Sequence, residues 1–405
     1  ATPALLRIFL GDKADFQDPQ GTACARMAEN GPENPQLTIF GVDAGLGWVV
    51  YNPDMLSLST LGEPGSEEGQ FLHPTGVAAL ADGRVAVADT GNHRVALLRF
   101  KNKKLFWEGT LGKQGTGPGE FDGPTWLAFD SQGRLYVSDT GNNRVQVFSA
   151  ELQPLFQFGA DQEADNSLEA PLGIAVVDPG QPWMETAESA IYVADHKRSR
   201  IQKFDLQGRF LEAASGADTG LEGVAFSGLA LDTRANLWAA DRANHRIHKF
   251  DRFLQYLDSW GGKGKGDGKL ESPRGLSIYP HYGQVFVAEK SSAQYMWIGA
   301  DLREIRVAKA PVKDGQERLR VEYTLTENGQ LECWVVKDDK PKKKLARLLE
   351  KTGIQQGRHS LYWDKLDENG SALEPGDYSV VFQAEANYSS ATFFKREKRK
   401  KFTLE

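Results

Sequence analysis

Four short polar runs could do chemistry: Asp89-Thr90-Gly91-Asn92-His93-Arg94, Asp139-Thr140-Gly141-Asn142-Asn143-Arg144, Asp195-His196-Lys197-Arg198-Ser199-Arg200 and Asp241-Arg242-Ala243-Asn244-His245-Arg246. A carboxylate, an amide and a guanidinium within six residues could polarise a substrate or move a proton. The repetition argues against it. Catalysis needs one constellation, whereas a turn used several times needs the same hydrogen bonds each time, and Asp, Asn and Arg supply them. The trio is therefore read as a structural fastening. Two further clusters carry little. Gly261 to Lys269 is rich in Gly and Lys but lacks the G-x-x-x-x-G-K-[ST] order of a phosphate cradle. Asp364, Asp367 and Asn369 alternate like calcium ligands, yet with no further oxygen donors in sequence they read as a structural turn.

The elements that position these runs repeat with them. Each run follows a short apolar strand, such as Leu135-Tyr136-Val137-Ser138 before Asp139, and the Asp positions recur 46 to 56 residues apart. Degraded copies at Asp43 and Glu289 extend the series to six units. Between units, Leu61-Gly62, Gly65, Gly69, Phe71 and Pro74 match Leu111-Gly112, Gly115, Gly119, Phe121 and Pro124, and again Trp260-Gly261, Gly264, Gly268, Leu270 and Pro273, without a gap. Glycines permit tight turns, the Phe or Leu anchors into a core, and Pro stiffens the approach to the next strand. Turns such as Asp82-Gly83, Gln132-Gly133 and Gln207-Gly208 divide each unit into four short strands. Repeats of this length and strand count predict an all-β fold, a six-bladed β-propeller over residues 1–301. Leu5 to Gly11 resembles the last strand of a unit with no unit before it, so it is expected to complete the sixth blade and remove an open edge. From Leu302 the spacing changes to longer alternating strands, which predicts a second β domain over 302–405.

The repeated motif resembles the NHL family over roughly residues 1–300. The second part resembles the immunoglobulin-like domain of flagellar hook-capping proteins, through Trp363-Asp364, the turn Asp367 to Gly370 and Pro375-Gly376-Asp377-Tyr378, with Lys365 where that family usually has Gly. The propeller resemblance suggests a peptide-amidating lyase with zinc on three histidines, each directly after a blade-opening Pro. The equivalent positions here are Thr75, Thr125, Leu172, Ser227 and Arg274, none of them His. No cofactor or metal is expected. The same positions, with Trp126, are expected at one mouth of the propeller channel, where they form the candidate binding surface.

Charge divides the chain. Residues 302–405 carry 21 Lys/Arg against 17 Asp/Glu, and residues 1–301 carry 27 against 38. An acidic propeller opposes phosphate neutralisation, so nucleic acid is not the expected partner. The basic runs Lys340 to Lys344 and Lys395 to Lys401 read as solvated faces. No apolar run approaches the ~18 residues of a membrane span; peripheral association with the envelope stays open. The sequence starts Ala1-Thr2-Pro3 without Met, read as the product of secretory cleavage, a trimmed chain being the alternative. Cys333, alternating with Leu331 and Val335, reads as a small core hydrophobe. The expected function is a non-enzymatic, exported bacterial scaffold binding protein partners in a larger assembly. The alternative is a propeller enzyme, lactonase-, dehydrogenase- or lyase-like, acting on a small substrate.

Overall fold

A computed structural model describes residues 16–30, 37–54, 57–161, 166–182, 184–264, 268–281, 283–300, 302–313, 316–325, 327–386 and 395–404. The chain divides into two compact units, one extending to Met296 apart from a short turn at 281–283, the other starting at Trp297.

The first unit holds six antiparallel sheets in chain order, five four-stranded and the sixth three-stranded among the described residues. The third sheet typifies them: Pro124–Phe129, Leu135–Asp139, Arg144–Phe148 and Pro154–Phe158 pair as successive neighbours. Tight turns force this meander. Asp130 accepts the backbone N–H groups of Gln132 and Arg134, closing the first turn, and Asp205 does the same for Gln207 and Arg209 between later strands. The second and third strands are apolar and almost wholly buried, because each sheet is covered on both faces by its neighbours. One core cluster joins Trp126, Tyr136, Val145 and Val147 of the third sheet to Ile174, Ile191, Val193 and Phe204 of the fourth. Others join sheets one to two, two to three and four to five in the same way.

Phe71, Phe121 and Leu270 are all 0% exposed, and each makes the same isolated parallel bridge to the loop before it. The sequence repeat is thus a three-dimensional repeat, a loop folded back over an anchored apolar side chain. Gly69, Gly119 and Gly268 turn these loops at φ 79°, 77° and 71°, a left-handed conformation that disfavours a side chain.

The inner strands touch in sequence. Thr75 Oγ1 donates to the Thr125 carbonyl at 2.8 Å, Thr125 Oγ1 to the Pro171 carbonyl at 3.5 Å, and Ser227 Oγ to the Arg274 carbonyl at 3.0 Å. Ser277 Oγ reaches Thr22 Oγ1 at 3.0 Å, so the sixth sheet also lies beside the first. The strand expected at 5–11 lies outside the described residues.

The second unit holds two antiparallel sheets. One orders Leu302–Lys313, Gln316–Leu325 and Gly357–Trp363; the other orders Lys340–Ile354, Gly329–Lys337, Gly376–Ala386 and Lys395–Leu404. Their inner faces meet through Tyr323 on Phe382, centroids 4.9 Å apart, and Trp363 on Phe402 at 6.2 Å. Cys333 is buried there with no exposed surface. The turn at Asp367 is closed by its own carboxylate, which accepts the N–H groups of Asn369 and Ser371.

Candidate ligand channel

The repeated Asp-Asn-Arg trio is a latch. Asp139, with no exposed surface, accepts the Asp122 N–H at 2.8 Å, Arg144 Nε at 2.7 Å, Asn142 Nδ2 at 2.9 Å and Gln146 Nε2 at 3.0 Å. Arg144 then spends its other donors on the carbonyls of Thr116, Gly117 and Glu120 at 2.7, 2.9 and 2.9 Å. A buried carboxylate and a nearly buried guanidinium therefore neutralise each other while binding the loop to the sheet. Asp89 and Arg94 repeat the pattern with the carbonyls of Ser66, Glu67 and Gln70. The fifth sheet departs from it. There His248 Nε2 meets Asp241 at 3.1 Å, both fully buried, and Arg246 turns to Ser259 Oγ at 3.2 Å. In the sixth, Glu289 takes the Asp position with Ser292, Gln294 and the Glu271 N–H as donors, and burial raises its carboxyl above the usual range.

The residues expected at a channel mouth all open inner strands, but most face other protein atoms. Ser227 is 0% exposed and its hydroxyl lies against the carbonyls of Ala240, Pro273 and Arg274. Thr125 pairs with Thr140 Oγ1 at 2.5 Å, and Thr75 with Thr90 Oγ1 at 2.6 Å. Trp126 belongs to the core between sheets three and four, 6% exposed. Leu172 is half-buried and packs on that same core. Arg274 pairs with Asp18. Sequence reasoning missed the sixth member of this level, Gln20, which donates to Asp18 Oδ2 at 2.9 Å. Its signal was present: Pro19-Gln20-Gly21 repeats Pro74-Thr75-Gly76 and Pro273-Arg274-Gly275.

The next residue along each inner strand shows how closely neighbouring strands approach at this end. Five of the six are glycines: Gly21, Gly76, Gly173, Gly228 and Gly275. A Cβ on Gly76 would stand 2.3 Å from the Thr125 carbonyl oxygen, one on Gly173 1.9 Å from that of Ser227, and one on Gly275 2.1 Å from that of Gln20. At these glycines adjacent backbones approach too closely for a side chain, whereas Trp126, the sixth residue of the level, turns its side chain into the core between sheets. The channel is pinched at this level.

Beyond the glycines the inner strands diverge around a cavity of about 650 Å³. All six contribute, from Thr22, Val77, Leu127, Ile174, Leu229 and Leu276 outward. The wall is mostly apolar, with Phe129, Leu231, Ile278 and Met184 toward the opening, and the irregular segment after Asp178 adds Gly180, Gln181 and Pro182.

The polar groups around this opening are engaged. Asp82 pairs with Arg84 at 2.8 Å; burial alone would raise its carboxyl, but the hydrogen bonds and charge of Arg84 hold it below the ordinary value. Asp130 takes Arg134 Nε at 2.5 Å and Tyr136 Oη at 3.1 Å. Asp178 accepts from the Ser131 hydroxyl and from the N–H groups of Ser131 and Gly180 at 2.9 and 2.8 Å. Cys24 also lines the cavity, and burial pushes its thiol up to about 12 against a weaker opposing bond with Ser277. It stays a thiol at neutral pH, not a nucleophilic thiolate. Among the described residues, no three His, Cys, Asp or Glu side chains converge as metal ligands. The arrangement can desolvate an apolar body and offer backbone edges and a few dipoles around it.

Residues 71–96 and 121–148 match the NHL repeat. Both segments run from the anchoring Phe through the latch, so the first unit carries NHL repeats on a β-propeller fold of successive four-stranded sheets. No curated protein matches the chain in sequence. Similar solved structures include a gluconolactonase from Xanthomonas campestris, with 15% identity, 73% of this chain and 92% of that one covered and a TM-score of 0.49. A virginiamycin B lyase from Staphylococcus aureus has 11% identity, 63% and 75% coverage and a TM-score of 0.45. A Bacteroides thetaiotaomicron protein of unknown function has 17% identity, 70% coverage of each chain and a TM-score of 0.49.

Proposed function

We propose that this protein binds a small, largely apolar molecule in the funnel of its propeller. The observation that carries the reading is a cavity of about 650 Å³ walled by all six inner strands, which approach one another closely at the glycines before it. That volume falls within the ~300–1,000 Å³ of ordinary ligand sites. This favours a small-molecule site, as in the propeller-enzyme alternative, over the protein scaffold expected from sequence, since three of the six residues assigned to partner capture are buried and the other three are half-buried. It favours binding over turnover, because the carboxylates at the opening are already paired and the channel thiol is protonated.

The reading takes the six sheets as blades of one closed ring, and the second unit as an immunoglobulin-like sandwich serving as a spacing or docking module. Export of the chain belongs to the same proposal; recovery of the native protein in a cytosolic fraction would overturn that part.

The test is titration with a neutral fluorescent dye such as N-phenyl-1-naphthylamine. Saturable binding at one site is expected, and Ala79→Trp, which places an indole in the cavity wall, should abolish it. Undiminished binding in a folded Ala79→Trp protein removes the funnel as the site.

A further inference from the structure

At this end, two arginines lie within electrostatic reach of one carboxylate that only one of them pairs with. Arg274 opens the inner strand of the sixth sheet, and one of its terminal nitrogens pairs with Asp18. Its side chain is 13% exposed, and its Nε is buried without a hydrogen-bond partner. Arg242 sits on the turn after Leu237–Asp241, tied to the same region because Ser272 Oγ donates to the Arg242 carbonyl at 3.0 Å. The Arg242 guanidinium is half-buried and makes no hydrogen bond among the described residues. Burial and then repulsion from Arg274 lower its affinity for its proton, with Asp18 opposing. Asp18 is itself divided, accepting Gln20 Nε2 at 2.9 Å as well as Arg274.

The sheet-five turn shows that this arginine is not a latch residue. Its counterparts Thr90 and Thr140 donate to the carbonyls of Pro124 and Pro171, both at 2.7 Å, and His196 Nδ1 meets the Phe226 carbonyl at 2.8 Å. Those contacts stitch one sheet to the next. At the fifth sheet the position carries a cation instead, on the turn that Ser272 ties to the start of the sixth sheet's inner strand, near enough to Arg274 for the two charges to repel. Two partly desolvated guanidinia beside a single carboxylate leave a net positive charge and unused donors in a fork geometry suited to oxygen pairs.

We propose that Arg242 and Arg274 form an anion site for a phosphate or carboxylate group, separate from the funnel and at the opposite end of the inner strands. An incoming oxyanion would supply the second negative charge that Asp18 alone lacks and accept from the Arg242 guanidinium. Asp18 competes with it for Arg274.

The experiment is isothermal titration calorimetry on the full chain at low ionic strength. Sodium phosphate and sodium acetate are titrated separately, with sodium chloride at matched ionic strength as reference. Saturable one-site binding of phosphate is expected, weakened at least ~10-fold in Arg242→Gln through loss of a bidentate charged contact. Asp18→Asn should bind more tightly than the wild type, because it removes the competing carboxylate; a merely structural role for the cluster predicts no such gain. Parallel binding of acetate assigns carboxylates to the site, and phosphate alone assigns a dianion. Should Arg242→Gln not fold, Asp18→Asn decides the matter. Heats indistinguishable from chloride, or equal affinity in wild type and both variants, overturn the proposal.

Discussion

Replacing one arginine in each of two latches separates what the repeat looks like from what it does. Arg144 and Arg246 occupy the same place in Asp139 to Arg144 and Asp241 to Arg246. Arg144 is 5% exposed, pairs with the fully buried Asp139 at 2.7 Å and satisfies three loop carbonyls besides. Arg144→Met leaves that carboxylate without its cation and the Thr116 carbonyl without its donor, whereas the Glu120 N–H still serves the Gly117 carbonyl and Gln146 Nε2 the Glu120 carbonyl. Removing one partner of a buried pair costs about 3–5 kcal/mol, and Asn142 and Gln146 remain to Asp139, so a loss of about 3 kcal/mol is expected. Arg246 bonds only Ser259 Oγ among the described residues, while His248 and Asn244 serve Asp241. Arg246→Met should therefore cost no more than about 1 kcal/mol. Urea unfolding followed by tryptophan fluorescence reads both, as the midpoint shift of the propeller transition multiplied by its slope. Equal losses in the two variants would refute the reasoning, because they would make the motif itself, not its contacts, the source of stability.

Other consequences follow from the same contacts. Gly173→Ala forces a Cβ to within 1.9 Å of the Ser227 carbonyl oxygen, so it should lower stability by about 2 kcal/mol or more, read by thermal melting; no change would mean the pinch is not tight. The Asp241 carboxyl is held below its ordinary value of 3.8: burial raises it, but the bonds from His248, Ala225 and Asn244 outweigh that. A depressed folded pKa contributes stability above the unfolded value and loses it as pH falls through the folded one. The stability gap between wild type and Asp241→Asn should therefore be full at neutral pH and shrink below about pH 3.8; a gap constant down to acid unfolding contradicts the stabilised carboxylate. With its thiol pushed up to about 12, Cys24 should react with a disulfide reagent at neutral pH on the order of 100-fold slower than free cysteine. Ready labelling of the native protein would show that the thiol is not shielded. In the second unit, Trp363 packs on Phe402 and donates to the Leu366 carbonyl at 2.9 Å, so Trp363→Ala should cost about 3–5 kcal/mol, measured by melting of that unit's transition.

The repeat itself was legible because its chemistry is local. Asp139, Asn142 and Arg144 sit within one turn, and Phe121 reaches its core from a loop of the same unit, so spacing alone exposed the sheets, the anchors and the structural reading of the latch. Gln20 escaped for a related reason: its unit's latch, Asp43, lacks the Asn and Arg, and the Pro-x-Gly preceding it was not aligned with the others. Asp43 accepts four backbone N–H groups instead, of Gln17, Asp18, Gly45 and Leu46, a role any carboxylate can fill.

Two features were decided only by tertiary structure. Arg246 and Arg144 are indistinguishable in sequence, yet His248 reaches Asp241 across the strand pair and displaces the arginine. The usable end of the channel was likewise invisible. Alignment placed Thr75, Thr125, Ser227 and Arg274 on one level, but whether that level gapes or closes depends on how nearly the inner strands approach. That distance is set by the packing of whole sheets against each other, through cores such as the one that gathers Trp126 and Tyr136 with Ile174 and Phe204. A glycine reads in sequence as freedom of the backbone. Here the surrounding sheets turn Gly76 and Gly173 into points of contact, which moves the cavity to the other end of the same strands.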